Sequence, residues 1–81
     1  MPNDPEMTRQ VVRAAIAAVA KQPVQDDQCI VSTGLIDSLS ILKLIAILER
    51  DLQVRVSKDR VQPDDFDSVE IILETLERVV G

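Results

Sequence analysis

Few residues in this chain have the type and spacing to do chemistry, and the most telling of them is a serine. Ser38 follows Asp37 and opens a run to Leu52 that contains neither Gly nor Pro. A hydroxyl at a helix start lies among unpaired backbone N–H groups and at the positive end of the helix dipole, where an anionic phosphate is favoured. Ser is also a common cap, so position alone has an ordinary structural explanation. Cys29 is the only cysteine, which excludes an intrachain disulfide and a thiolate cluster. In its apolar-leaning loop it reads as a small buried hydrophobe rather than a redox or thioester site. Asp64, Asp65 and Asp67 offer oxygens to a divalent cation but lack the ligand count of a calcium loop. They read as helix-start capping and solubility, and no metal site is expected.

Histidine is absent, which excludes a His triad, a His general base and the common His-containing zinc sites. Lys21, Lys43 and Lys58 are bases in principle, but no spacing places one beside Ser38. So short a chain also leaves little room for a substrate cavity, and no enzyme is expected.

The elements that must position Ser38 read as helices. From Thr8, the expected N-cap, Val12, Ala15, Ile16 and Val19 recur at helical spacing until Pro23. Residues 1–7 hold two prolines and are expected to be a flexible N-terminus ahead of one domain over 8–81. Residues 23–36 have no period, and so long a connection in a small domain is often functional. Asp37 is the expected N-cap of the second helix. Gln53-Val54-Arg55-Val56 alternates like a strand but has no partner strand, so it reads as loop. A short helical turn is expected around Val61, before Pro63. Asp67-Ser68-Val69-Glu70 has capping-box spacing, and Val69, Ile72, Leu73, Leu76, Val79 and Val80 then carry a final helix to Gly81. The expected core is Val12, Ile16, Val19, Leu35, Ile41, Leu44, Ile45, Leu48, Leu52, Phe66, Ile72, Leu73 and Leu76.

Within the second helix, Ile41, Leu44, Ile45, Leu48 and Leu52 fall in an arc of about 100°, wide enough for one core-facing stripe. Leu39, Leu42 and Ala46 lie opposite, together with Lys43 and Arg50. Such a second stripe means either a helix touching bundle neighbours on several sides or a surface that meets a partner.

Composition narrows the partners. Lys plus Arg is 9 against 14 for Asp plus Glu, a formal charge of −5 that repels phosphate backbones and anionic bilayers. Tyr and Trp are absent, so bases have nothing to stack on, and neither nucleic acid nor membrane is an expected partner. Hydrophobic residues at 46% are too many for a disordered chain, and 81 residues make one small domain burying roughly 63% of its unfolded surface. The acidic start lacks the features of a secretory signal, and a lone thiol suits a reducing compartment, so a cytoplasmic protein is expected.

Gly34-Leu35-Ile36-Asp37-Ser38-Leu39, followed by the apolar helix Ile41 to Leu52, resembles the acyl carrier protein and peptidyl carrier protein family. Asp37-Ser38-Leu39 reproduces the family's marker. The likeness extends through Ala46-Ile47-Leu48-Glu49-Arg50-Asp51-Leu52 and Pro63-Asp64-Asp65-Phe66-Asp67-Ser68-Val69, covering about residues 8 to 80. The resemblance implies an all-α, four-helix bundle with a long first loop and a short third helix. It implies that Ser38 is the attachment point of a covalent 4'-phosphopantetheine, added from coenzyme A with magnesium by a phosphopantetheinyl transferase that reads Asp37 and Leu39 with it. The arm's thiol would carry substrates as thioesters to loading enzymes and to downstream transferases or synthases. Leu39, Leu42, Lys43, Ala46, Glu49 and Arg50 would form the docking face of a monomer.

Fatty-acid carriers usually place acids two and five positions after the serine, where this chain has Ser40 and Lys43, and Arg50 adds further positive charge. Rim charges govern encounter and discrimination, so the expected cargo is acyl or aminoacyl in a specialised pathway rather than in housekeeping fatty-acid synthesis. The alternative is a helical protein–protein interaction module with no prosthetic group, in which Ser38 stays unmodified.

Overall fold

The computed structural model of the chain describes residues 5–79. Three α-helices, α1 (Pro5–Ala20), α2 (Ser38–Leu52) and α3 (Val69–Val79), form the bundle. No strand occurs among the described residues, and the 53–56 segment is loop, as expected. Two 3₁₀ turns, Lys58–Arg60 and Pro63–Phe66, stand where a short third helix was expected. A continuous helix through them would have no N–H at Pro63 to bond the carbonyl of Asp59. Gln62 and Asp65 instead cap the second turn reciprocally, with the Gln62 amide donating to Asp65 Oδ2 at 2.8 Å.

α1 begins at Pro5, ahead of Thr8, the expected cap. A first-turn proline has no needed N–H and a fixed helical φ, and Glu6 beside it complements the helix dipole. Of the N-terminal segment expected to be flexible, residues 1–4 lie outside the described residues, as do residues 80–81 at the expected end of α3. α1 ends in a left-handed Lys21, at φ 62°, with Pro23 close behind to prevent continuation.

α1 packs along α2 and α3, while the second 3₁₀ turn packs against α3 and α2. Phe66, the only aromatic residue, is fully buried in that turn. The expected stripes of Val12 and Ile16, of Ile41, Leu44, Ile45, Leu48 and Leu52, and of Ile72 and Leu76 are buried. Val19, Leu35 and Leu73, expected in the core, are only half-buried at its margin. Ala15, Val24, Ile30, Ile36, Val56, Val69 and Val79 complete it. Val24, Ile30 and Ile36 come from the aperiodic first loop and Val56 from the second, so helical period carried no signal for them. The three from the first loop make residues 21–37 part of the core wall.

Candidate functional site

Residues 30–38 lead to and include the candidate residue Ser38. Ile30 and Ile36 are buried at the two ends of a tight loop, and the Ile36 amide donates to the Ile30 carbonyl at 2.8 Å. Between them the Gly34 amide donates to the Val31 carbonyl at 3.0 Å. Gly34 has φ 81°, a backbone that other residues adopt at a cost of about 1–2 kcal/mol. Nothing lies within 4 Å of where its Cβ would be, so the requirement is conformational rather than steric.

The next residue, Asp37, is extended at φ −96° and ψ −179° and caps α2 as the sequence predicts. Its Oδ1 accepts the Ser40 amide at 2.8 Å, and its carbonyl accepts the Ile41 amide at 3.0 Å. The Ser40 amide is the main reason its carboxyl titrates below the usual range, with the Ser40 hydroxyl adding to the effect. Asp37 takes part in no ion pair among the described residues.

With Asp37 occupying the cap, Ser38 becomes the first helical residue and is exposed. None of the side-chain hydrogen bonds of the described residues involves its hydroxyl. A primary alcohol is a weak nucleophile until a base takes its proton, and no basic side chain of the described residues bonds this one.

The α2 face beyond Ser38 is open to solvent. Leu39 is 73% and Leu42 51% exposed, and Lys43, Ala46 and Arg50 are exposed beside them. Among the described residues no bundle neighbour covers this second stripe. Arg50 pairs only with its neighbour Asp51, at 3.0 Å, while Lys43 makes no ion pair among the described residues. Glu49, grouped with this face from the sequence, is half-buried and turns a carboxylate oxygen to the Val56 amide at 2.9 Å. Its carbonyl accepts the Gln53 and Val54 amides where the chain leaves the helix.

Two further sequence expectations resolve differently. Cys29 is exposed, not buried, because its neighbour Ile30 takes the core position. It lines a shallow groove with Gln22, Gln28, Thr33, Gly34 and Leu35. Of the acidic trio, Asp65 caps the second 3₁₀ turn and pairs with Arg78 at 3.1 Å, whereas Asp67 does not cap α3. Ser68 does, its Oγ accepting the Ile71 amide at 3.2 Å, while Glu70 pairs with Arg9. Asp67 reaches the first loop instead, and its carboxylate accepts the Ile30, Val31 and Ser32 amides. Sequence reasoning missed this link because it joins residues more than thirty positions apart. Among the described residues no group of three or more acidic or cysteine side chains is arranged to hold a metal.

No described helix is long and apolar enough to cross a membrane. The family model described as phosphopantetheine attachment site matches residues 10–76, from the second turn of α1 to near the end of α3. No curated protein matches the chain in sequence.

Proposed function

The chain belongs to the phosphopantetheine attachment-site family, whose members are carriers holding a covalent 4'-phosphopantetheine, and on that premise we propose that Ser38 is the attachment residue. The observation that carries this is the state of its hydroxyl: exposed, free of side-chain hydrogen bonds and set on the first turn of a helix already capped by Asp37. The residues present fit the group. The positive end of α2 favours a phosphodiester at this position, and no existing hydrogen bond of the hydroxyl must be broken to place one there.

In the attachment reaction the Ser38 oxygen bonds to the pantetheine-side phosphorus of coenzyme A. The pyrophosphate bridge breaks, adenosine 3',5'-bisphosphate leaves, and the hydroxyl proton passes to a base of the transferase. The attached arm supplies a thiol that holds acyl or aminoacyl groups as thioesters. Asp37 keeps the start of α2 ordered throughout, because its interaction is with the Ser40 amide and not with Ser38.

Leu39, Leu42, Lys43, Ala46 and Arg50 are the surface a partner enzyme meets beside the arm, with Glu49 shaping the far end of the helix. Apolar side chains at the centre of such a patch contribute affinity, and the flanking cations select partners by charge. Lys43 and Arg50 support a specialised biosynthetic pathway over housekeeping fatty-acid synthesis. A cytoplasmic setting fits the single exposed thiol of Cys29.

The test is intact mass before and after incubation with coenzyme A, magnesium and a broad-specificity phosphopantetheinyl transferase. A gain of one phosphopantetheinyl group on the wild type, absent from Ser38→Ala, is the expected result. No gain on folded wild-type protein leaves an interaction module without prosthetic group.

A further inference from the structure

The loop that delivers Ser38 is tied to the far end of the chain by the Asp67 side chain, beside backbone bonds of the Ile30 amide to the Asp67 carbonyl and of the Glu70 amide to the Asp26 carbonyl. Asp67 Oδ1 accepts the amides of Ile30, Val31 and Ser32 at 3.1, 2.7 and 2.9 Å, and Oδ2 accepts the Ser32 hydroxyl at 2.9 Å. The Ile30 amide is shared with the Asp67 carbonyl oxygen at 2.7 Å. Burial pushes the Asp67 carboxyl up, but the Ser32 and Val31 amides, the Ser32 hydroxyl and the Ile30 amide outweigh it and hold the carboxyl below the usual range. From the held residues the path to the site is short. The Ile36 amide closes on the Ile30 carbonyl, Ile36 is buried, and Asp37 and Ser38 follow directly. The cap of α3 is Ser68, so the Asp67 carboxylate is turned to the first loop instead.

We infer that Asp67 is a positioning residue for the modification of Ser38: it holds residues 30–37 in the one shape that a transferase engages. The inference rests on the carrier reading. An irregular loop loses conformational freedom when a partner binds it, and one already fixed has less to lose. If the held shape is populated in only a fraction of molecules, apparent affinity falls by that fraction, while the reaction inside the complex is unchanged. Releasing the Asp67 links therefore raises KM for the carrier and leaves kcat alone. A staple serving only global stability would lower Tm and move neither constant in folded protein.

The experiment measures transferase kinetics by intact mass on wild type, Asp67→Ala, Asp67→Asn and Val79→Ala, at a temperature where circular dichroism shows each folded. Val79→Ala weakens the buried side of α3 at the opposite end of that helix from Asp67. For Asp67→Ala a rise in KM of about tenfold is expected, with kcat within about twofold of wild type. Hydrogen exchange should speed at the Val31 and Ser32 amides. Asp67→Asn keeps one carbonyl oxygen for the amides and should recover part of the KM. Folded Asp67→Ala with wild-type KM overturns the inference, as does an equal rise in Val79→Ala. Should Asp67→Ala not fold, Asp67→Asn and Ser32→Ala decide it: faster exchange at Val31 or Ser32 with unchanged KM overturns it, and a raised KM supports it. A wild type that takes up no phosphopantetheine fails differently, because it removes the carrier reading itself and this inference with it.

Discussion

The starts of α2 and α3 carry the same dipeptide and use it in opposite ways. At α2, Asp37 is the cap and Ser38 the first helical residue, so the carboxylate takes a backbone amide and the hydroxyl is left exposed. At α3, Ser68 is the cap, 4% exposed with its hydroxyl accepting the Ile71 amide, and Asp67 stands outside the helix, free to bind the first loop. A register shift of one residue turns a free alcohol into a buried cap. The Asp-Ser-apolar tripeptide therefore leaves its hydroxyl open only in the register where the aspartate is the cap.

The contrast is broken most decisively by modification. Ser38→Ala should gain no phosphopantetheine and Ser68→Ala should gain a full equivalent. Modification of folded Ser38→Ala would place the arm elsewhere. Stability should separate the two serines in the reverse sense. Ser68→Ala removes a buried cap and should cost about 1 kcal/mol in denaturant unfolding, whereas Ser38→Ala at an exposed, unbonded position should stay within about 0.5 kcal/mol. Equal losses would mean that Ser38 serves the helix as Ser68 does.

Acid sharpens the aspartate half of the comparison. Both carboxyls titrate below the ordinary 3.8 in the folded chain. Their contribution is full above that value and is lost as pH falls through it toward the folded pKa of each group. Between about pH 5 and pH 2, Asp67→Asn should show a shallower fall in stability than wild type. An identical acid limb would mean that the Asp67 links persist when the group is protonated. The smallest effect is expected beyond the α2 start, where Lys43→Glu with Arg50→Glu should change stability by no more than about 0.5 kcal/mol. The same pair should alter rates with partner enzymes, and unchanged rates with every partner would remove these cations from recognition.

The sequence was most readable where a local rule governs. The α2 cap at Asp37, the buried stripe from Ile41 to Leu52 and the open stripe with Leu39 and Leu42 follow from spacing within one helix. It was least readable where residues far apart meet. Ile30 and Ile36 enter the core from a segment with no period, and Asp67 bonds residues more than thirty positions away, so neither leaves a local trace. Cys29 shows the intermediate case: apolar neighbours signalled burial, but only one side of an irregular strand of chain can face inward, and Ile30 took it. Asp67-Ser68-Val69-Glu70 had the spacing of a capping box but not its register, because Arg9 claims Glu70 and the first loop claims Asp67.

Phe66, alone among the side chains in carrying an aromatic ring, is fully buried in the second 3₁₀ turn beside α3 and α2. Ring-current shifts in the methyl spectrum of this protein consequently have one side-chain source. Any valine, leucine or isoleucine methyl displaced far upfield must pack on that ring, and a change in such a shift on modification reports movement of that wall of the bundle. Rearrangement of that part of the core is thus readable from the protein's own methyl groups, with no added label.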